Sequence, residues 1–175
     1  MIELVLGGAR SGKSQYAQSR ALKFTGPVTY IATAQATDRE MSDRIARHQA
    51  DRPAEWTLVE QPLALHQAIR RYGTQCNTIL LIDCLTLWLN NEIYNGVTTS
   101  FESLTNELTA SLVDAKSDVI LVSNEVGMGI VPIGEVTRQF VDWQGWLNQA
   151  VAKCADRVTF VAAGLPLHLK GDNDE

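Results

Sequence analysis

The sequence lacks the features that would assign it to a membrane or to an oxidising compartment. No run reaches the length of about 18 apolar residues that a membrane-spanning helix needs. No basic segment followed by a long apolar run opens the chain, so we expect no secretory signal. The three cysteines include no Cys-x-x-Cys pair, which disfavours disulfides and a zinc site. We therefore expect a cytoplasmic protein in which Cys76, Cys84 and Cys154 are small buried hydrophobes.

Clustered positive charge is also missing. The formal net charge is −5 and Lys and Arg form no stripe, so we expect no nucleic acid partner. The sequence has no Asn-Lys-x-Asp motif either, which argues against a guanine-binding switch protein of the Ras type. Any binding of phosphate must therefore be a local property of one site.

Short apolar segments alternate with helical patterns along the chain. The predicted strands are Ile2–Leu6, Val28–Ala34, Trp56–Glu60, Thr78–Asp83, Asp118–Asn124 and Arg157–Ala163. The predicted helices are Ser14–Phe24, Asp38–Gln49, Pro62–Gly73, Leu85–Tyr94, Phe101–Ala115 and Glu135–Ala155. The Gly- and Pro-rich segment Glu125–Gly134 is predicted to be a loop. This alternation predicts an α/β fold with a mostly parallel sheet and helices on both faces, as a single domain over residues 1–175.

The segment "GGARSGKS" follows the first strand and precedes the first helix. It matches the P-loop pattern Gly-x-x-x-x-Gly-Lys-Ser in the required structural context. Backbone N–H groups of such a loop and the positive end of the helix dipole bind phosphate oxygens. The predicted nucleotide contacts here are Gly7, Gly8, Ala9, Arg10, Ser11, Gly12, Lys13 and Ser14. The fold class is therefore predicted to be a RecA-like P-loop NTPase; whether Arg10 contacts phosphate or solvent stays open.

A P-loop enzyme also needs an acidic group near its metal ion. Asp83 ends a buried strand, where ligands bind in open α/β sheets, and we predict that Asp83 and Ser14 hold Mg²⁺. The alternative is that Asp83 only caps the following helix. Glu125 also follows a buried strand and is a second candidate.

His48 lies among arginines near the end of the predicted helix Asp38–Gln49. Arg44, Arg47 and Arg52 are close to it in sequence. A His beside several Arg could form a second phosphate site with His48 as a nucleophile on phosphorus. From the residues alone, a half-buried structural His is the preferred interpretation.

Six motifs in this order resemble one enzyme family, the bifunctional adenosylcobinamide kinase / adenosylcobinamide-phosphate guanylyltransferase of cobalamin synthesis. They cover nearly the whole chain: "GGARSGKS", the pattern "IATA…D.EM..RI..H…RP..W…E" over Ile31–Glu60, "LLIDCLTLWL" (Leu80–Leu89), "VSNEVGMGIVP" (Val122–Pro132), "G.LNQ..A" (Gly145–Ala152) and "AGLPL.LK" (Ala163–Lys170).

The resemblance changes the interpretation of His48, which becomes the residue expected to carry GMP covalently. It implies that an NTP, either ATP or GTP, phosphorylates a hydroxyl of adenosylcobinamide, and that GMP from GTP then passes through His48 to the new phosphate. Lys13, His48 and Asp83 are the expected catalytic residues. The further GTP contacts that it implies are Ala32, Thr33, Ala34, Gln49, Ala50, Asp51, Arg52, Glu60 and Asp83.

The resemblance also implies the partners, which are adenosylcobinamide and its phosphate as substrates and two further copies of the chain in a trimer. Two alternatives stay open on the sequence. One is a small-molecule kinase without the guanylyl-transfer step, in which His48 has no chemical role. The other is a P-loop switch or motor, which the acidic chain and the missing guanine motif disfavour.

Overall fold

The computed structural model describes residues 1–35, 53–95 and 100–171. Within these ranges the chain forms one seven-stranded sheet with the order β3-β2-β4-β5-β1-β6-β7. The strands are β1 (Ile2–Gly7), β2 (Val28–Ala32), β3 (Thr57–Glu60), β4 (Ile79–Asp83), β5 (Asp118–Asn124), β6 (Arg157–Ala162) and β7 (Leu165–Lys170). All neighbours are parallel except β6 and β7, which form an antiparallel pair.

In the part of the chain that the structure describes, five α-helices lie between the strands. They are α1 (Lys13–Leu22), α2 (Leu65–Tyr72), α3 (Leu85–Tyr94), α4 (Phe101–Asp114) and α5 (Glu135–Cys154). A single 3₁₀ turn, Val126–Met128, lies between β5 and α5. None of these helices is long and apolar enough to cross a membrane.

Side chains of the central strands alternate between two cores, one on each face of the sheet. Leu80 and Ile82 of β4 pack against α2, α3, α4 and α5, whereas Ile79 and Leu81 pack on the face that α1 covers. This alternation follows from the two-residue period of a strand. Because both faces are covered, the strands read as continuous apolar runs.

The predicted fold class is confirmed: the sheet is mostly parallel and has helices on both faces. All six predicted strands are present, although the second ends at Ala32 and not at Ala34. The strand β7 was not predicted. Its sequence "LPLHLK" is entirely exposed and contains Pro166, so it lacks the buried apolar run of the inner strands. The predicted helix Asp38–Gln49 lies outside the described residues.

The expectation that all three cysteines are small buried hydrophobes is wrong for two of them. Cys84 is buried, but Cys154 is half-buried and Cys76 is exposed. Cys76 lies in the turn before β4, where no core residue is required. None of the three forms a disulfide.

Because β4 lies inside the sheet and β3 at its edge, we expect the replacement of a leucine to reduce stability more on β4 than on β3. We expect Leu80→Ala to lower the free energy of unfolding by about 2–5 kcal/mol, because it leaves a cavity in a fully buried core position. Leu58→Ala, on β3 at the edge of the sheet and 44% exposed, is the matched control. It should cost less than about 1 kcal/mol. Urea unfolding of both variants measures the difference; equal losses would contradict this description of the core.

Candidate active site

The parallel strands bring the candidate residues to one edge of the sheet. The register aligns Glu60 of β3 with Ala32 of β2, and Ala32 with Asp83 of β4. Asp83 is in turn level with Val122 of β5, and the loop that follows Gly7 of β1 lies beyond this row. Because β5 lies between β4 and β1, Asp83 is two strand spacings, about 10 Å, from the P-loop strand. The sheet thus places Glu60, Ala32 and Asp83 in one row at the carboxyl ends of its strands.

The P-loop requires its glycines for two different reasons. A Cβ at Gly7 would lie 2.5 Å from both the Ser11 hydroxyl and the Val161 carbonyl oxygen, so the first glycine is needed for close packing. Gly12 has a φ of 95°, in the left-handed region that a side chain disfavours. A Cβ there would also approach the Cα of Gly164 to 3.1 Å.

Hydrogen bonds hold the loop in a shape that can receive phosphate. The Lys13 ammonium donates to the Gly8 carbonyl oxygen at 2.9 Å, across the loop. The N–H of Gly164, in the turn between β6 and β7, donates to the Ser11 carbonyl oxygen at 2.8 Å. The helix α1 begins at Lys13, so the N–H groups of its first turn, which have no partner within the helix, point toward the loop, as phosphate binding requires.

A buried ion pair fixes α1 against β1. The Glu3 carboxylate is 1% exposed and accepts a hydrogen bond from the Arg20 Nε at 3.2 Å and a longer one from the Tyr16 hydroxyl at 3.4 Å. A buried carboxylate needs such partners, because its desolvation would otherwise be costly. The pair therefore sets how α1, and with it Lys13, sits on the sheet.

The carboxylate of Asp83 is oriented from the neighbouring strand. The Tyr30 hydroxyl of β2 donates to the Asp83 Oδ2 at 3.1 Å. Cys84, and not Asp83, occupies the N-cap position of α3, and no side chain caps this helix. The structure therefore gives no support to the alternative that Asp83 only caps the helix.

The donor set at this edge fits Mg²⁺. Ser14 and Asp83 are both partly exposed and offer a hydroxyl and a carboxylate oxygen. Among the described residues, no group of three or more His, Cys, Asp and Glu side chains could enclose a metal ion. Mg²⁺ does not need such a cage, because it typically takes one or two protein oxygens together with water and substrate phosphates.

Thr33 ties the ends of β2 and β4 together. Its Oγ1 donates to the Cys84 carbonyl oxygen at 2.7 Å and accepts from the Cys84 N–H at 2.8 Å. Its own carbonyl oxygen accepts from the Asn91 Nδ2 of α3 at 2.8 Å. Thr33 is fully buried, so these bonds hold the peptide next to Asp83 in place. Its predicted contact with a nucleotide stays a prediction.

The thiol of Cys84 is buried directly beside the site. Burial raises its pKa to about 12, with a further contribution from the Asp83 carboxylate. The Lys13 ammonium lowers this pKa in part, so the P-loop lysine lies close enough to influence the end of β4.

The remaining predicted residues divide into two groups. Ala32, Ala34 and Glu60 lie at the same sheet edge as Asp83, with Glu60 exposed on β3. His48, with Gln49, Ala50, Asp51 and Arg52, lies outside the described residues, and its predicted role stays a prediction.

Sequence reasoning did not identify a buried polar cluster at the end of β5. Ser123, Gln144 and Asn148 are bonded to each other, and Asn148 also bonds Glu125. The signal was present in the sequence, because Gln144 and Asn148 are four residues apart on one face of a helix whose neighbouring core positions are apolar.

Comparisons with known proteins point to one enzyme family. A family model described as "Cobinamide kinase / cobinamide phosphate guanyltransferase" (CobU) matches residues 3–169. The bifunctional adenosylcobalamin biosynthesis protein CobP of Pseudomonas aeruginosa is 48% identical over 98% of this chain and 99% of its own. The protein CobU of Escherichia coli is 34% identical over 97% of this chain and 100% of its own.

A solved structure supports the fold. The RadB recombinase superposes with a TM-score of 0.55 over 91% of this chain and 73% of its own, at 15% identity. At this identity the likeness concerns the architecture alone, and it agrees with a RecA-like P-loop NTPase fold.

The raised pKa predicts that Cys84 is unreactive in the folded protein. With a pKa of about 12, on the order of one Cys84 thiol in ten thousand is ionised at pH 8. We expect iodoacetamide to alkylate the exposed Cys76 and to spare Cys84, which peptide mass mapping measures. Denaturation in urea should make all three cysteines react; fast labelling of Cys84 in the native protein would contradict its burial.

The position of Asp83 predicts a role in turnover more than in nucleotide binding. We expect Asp83→Asn to lower the rate of magnesium-dependent phosphoryl transfer at least about 100-fold, because charge on the phosphates is then less well neutralised. Nucleotide affinity, measured by calorimetric titration, should change much less. Asp114→Asn, at an exposed position at the end of α4, is the control for the substitution. Wild-type turnover of Asp83→Asn at saturating Mg²⁺ would remove Asp83 from the metal site.

Proposed function

This chain belongs to the cobinamide kinase / cobinamide phosphate guanyltransferase family, and on that basis we propose that it performs both reactions of the family on adenosylcobinamide. In the first, an NTP phosphorylates a hydroxyl of the substrate. In the second, GMP from GTP is transferred to that new phosphate, giving adenosylcobinamide-GDP. The observation that carries the proposal is the P-loop at a sheet edge that also holds Asp83 and Glu60, in a chain matched by the family over residues 3–169.

The kinase step draws on the P-loop. The substrate hydroxyl oxygen forms a bond to the γ-phosphorus, the bond from that phosphorus to the bridging oxygen breaks, and NDP leaves. In this proposal, backbone N–H groups around Gly12 and the Lys13 ammonium neutralise the phosphates. The position of Lys13 at the start of α1, beside the Gly8 carbonyl of the loop, supports this role. Bound Mg²⁺, held by Ser14 and Asp83, would supply further charge neutralisation for the same oxygens.

The transferase step needs a nucleophile on the protein, and we assign this role to His48. A ring nitrogen of His48 attacks the α-phosphorus of GTP and pyrophosphate leaves. A phosphate oxygen of the substrate then attacks the same phosphorus, and the bond to His48 breaks. Such an intermediate divides one difficult transfer into two easier ones. Glu60 and the residues Ala32–Ala34 lie at the carboxyl ends of the strands, between Asp83 and the β3 edge of the sheet. There they can contact the nucleoside part of GTP.

The proposal includes GTP as the guanylyl donor, ATP or GTP as the phosphoryl donor, and Mg²⁺ as the metal. It also includes a homotrimer, as the family resemblance implies. Cobinamide as the substrate class accords with the family description and with the names of the two bacterial relatives.

The covalent step predicts a separation of the two activities. We expect His48→Asn to form no protein-bound label from α-labelled GTP, because an amide cannot form the phosphoramidate. The variant should still convert adenosylcobinamide to its phosphate when an NTP is supplied, because the kinase step needs no protein nucleophile. The label is measured after denaturation and should be stable to alkali and labile to acid.

The control for this substitution is His168→Asn, at an exposed position on β7, which should be labelled like the wild type. Formation of adenosylcobinamide-GDP by His48→Asn at a rate near that of the wild type would rule out the covalent role. Absence of both reactions from the wild-type protein would rule out the proposed function itself.

A further inference from the structure

Three buried polar side chains join α5 to the end of β5. Ser123 and Gln144 are 0% exposed and Asn148 is 4% exposed. The Ser123 hydroxyl donates to the Asn148 Oδ1 at 2.7 Å, and the Gln144 Nε2 is 3.0 Å from both the Ser123 Oγ and the Asn148 Oδ1. Leu147 and Val151 of the same helix are fully buried in the surrounding core. A polar cluster in such a place is costly unless its members satisfy one another.

The orientation of the Asn148 amide is determined by its partners. Its Nδ2 lies 3.0 Å from the Asn124 carbonyl oxygen and 2.9 Å from the Glu125 Oε1. A backbone carbonyl accepts hydrogen bonds and cannot donate, so the group that faces it must be the NH₂ of the amide. The second hydrogen of the same NH₂ then points to the Glu125 carboxylate. The cluster therefore ends in one donor that is aimed at Glu125.

Glu125 lies beside the first glycine of the P-loop. Its backbone N–H donates to the Gly7 carbonyl oxygen at 3.2 Å, and the preceding residue, Asn124, is in register with Gly7. Glu125 is only partly buried, so a substrate can reach it from solvent. Asp83 lies on the far side of β5 from β1. The two carboxylates thus lie on the same side of the P-loop strand, and Glu125 follows the strand that is adjacent to it.

The two carboxylates also belong to opposite faces of the sheet. Asp83 follows Ile79 and Leu81 in the two-residue period, on the face that α1 covers. The contact between Glu125 and Asn148 places the Glu125 side chain on the face that α5 covers. Asp83 is therefore suited to binding the metal ion, and Glu125 is suited to contacting the alcohol that accepts the phosphoryl group.

We propose that Glu125 is the catalytic base of the kinase step and that Asn148 is the positioning residue that holds its carboxylate beside the phosphate loop. This inference rests on the proposed function, which supplies an alcohol as the phosphoryl acceptor. The substrate O–H bond breaks as the oxygen bonds to the γ-phosphorus, and the proton goes to the Glu125 carboxylate. The bond from the γ-phosphorus to the bridging oxygen breaks, and NDP leaves with that electron pair.

The two reactions of the enzyme differ in their need for this base. An alcohol must lose its proton to become a phosphate ester, whereas the acceptor of the guanylyl step is a phosphate that is already ionised near neutral pH. A base that serves the alcohol should therefore matter for the kinase step alone. A residue that only supports the fold, or that binds the shared metal ion, should matter for both steps.

The test measures the two steps separately, each at saturating NTP and Mg²⁺. The kinase step is followed with adenosylcobinamide and a γ-labelled NTP, and guanylyl transfer with supplied adenosylcobinamide phosphate and GTP. We expect Glu125→Gln to lower the kcat of the kinase step about 100-fold or more. Its guanylyl transfer and its KM for the NTP should stay within about twofold of the wild type.

Asn148→Asp tests the positioning role with little change in shape. The new side chain keeps an oxygen for Ser123 and Gln144 but turns a second oxygen, and no donor, toward Glu125. We expect the kcat of the kinase step to fall about tenfold, as when a residue that orients a reacting group is replaced, with guanylyl transfer retained. Asn106→Asp, at an exposed position on α4, controls for the added charge and should leave both steps unchanged.

Three results would overturn the inference while the proposed function stands. Wild-type kinase kcat in Glu125→Gln would show that Glu125 is not the base. An equal fall of both steps in that variant would assign it a general role in folding or metal binding. Unchanged kinase kcat in Asn148→Asp would remove Asn148 as the positioning residue. If the wild-type protein performs neither reaction, the proposed function fails first.

Discussion

The pairing of β5 with β1 sets the geometry of the site. The P-loop strand has β5 on one side and β6 on the other, and the register puts Asn124 level with Gly7. Whatever follows Asn124 must therefore emerge beside the phosphate loop. The same pairing moves β4 one place away, so that Asp83 lies about 10 Å from the P-loop strand.

Two buried polar residues, Thr33 and Asn148, each hold the main chain at the end of a strand near the site. Thr33 uses its hydroxyl, N–H and carbonyl to hold the peptide after Asp83, and Asn148 uses its amide to hold the end of β5 and Glu125. Both residues bond main-chain groups where a strand has just ended and its ladder no longer supplies partners. A rigid side chain with fixed partners keeps a reacting group in place better than a loop could.

The sequence predicted what depends on local patterns. The P-loop was identifiable because its glycines, lysine and serine are contiguous and act through their own backbone, and the buried strands because they are continuous apolar runs. The strand β7 was missed because it pairs on one side only and exposes all six residues. The partnership of Asn148 with Glu125 spans 23 positions and depends on how α5 packs, which no local pattern specifies. Thr33 was assigned to the nucleotide, and only its tertiary contacts show that its hydroxyl holds the end of β4.

The β6–β7 hairpin comes late in the chain, which affects when the P-loop acquires its contacts during synthesis. The P-loop occupies residues 7–14, yet its carbonyl at Ser11 is bonded by Gly164, and its strand pairs with β5 and β6. During synthesis the P-loop leaves the ribosome early. Its contacts with β6 and Gly164 can form only after nearly the whole chain has been synthesised. Contacts of such large sequence separation form slowly, because the loop-closure entropy comes first. A nascent chain that has not yet reached Gly164 therefore lacks the hydrogen bond that this residue donates to the P-loop at Ser11.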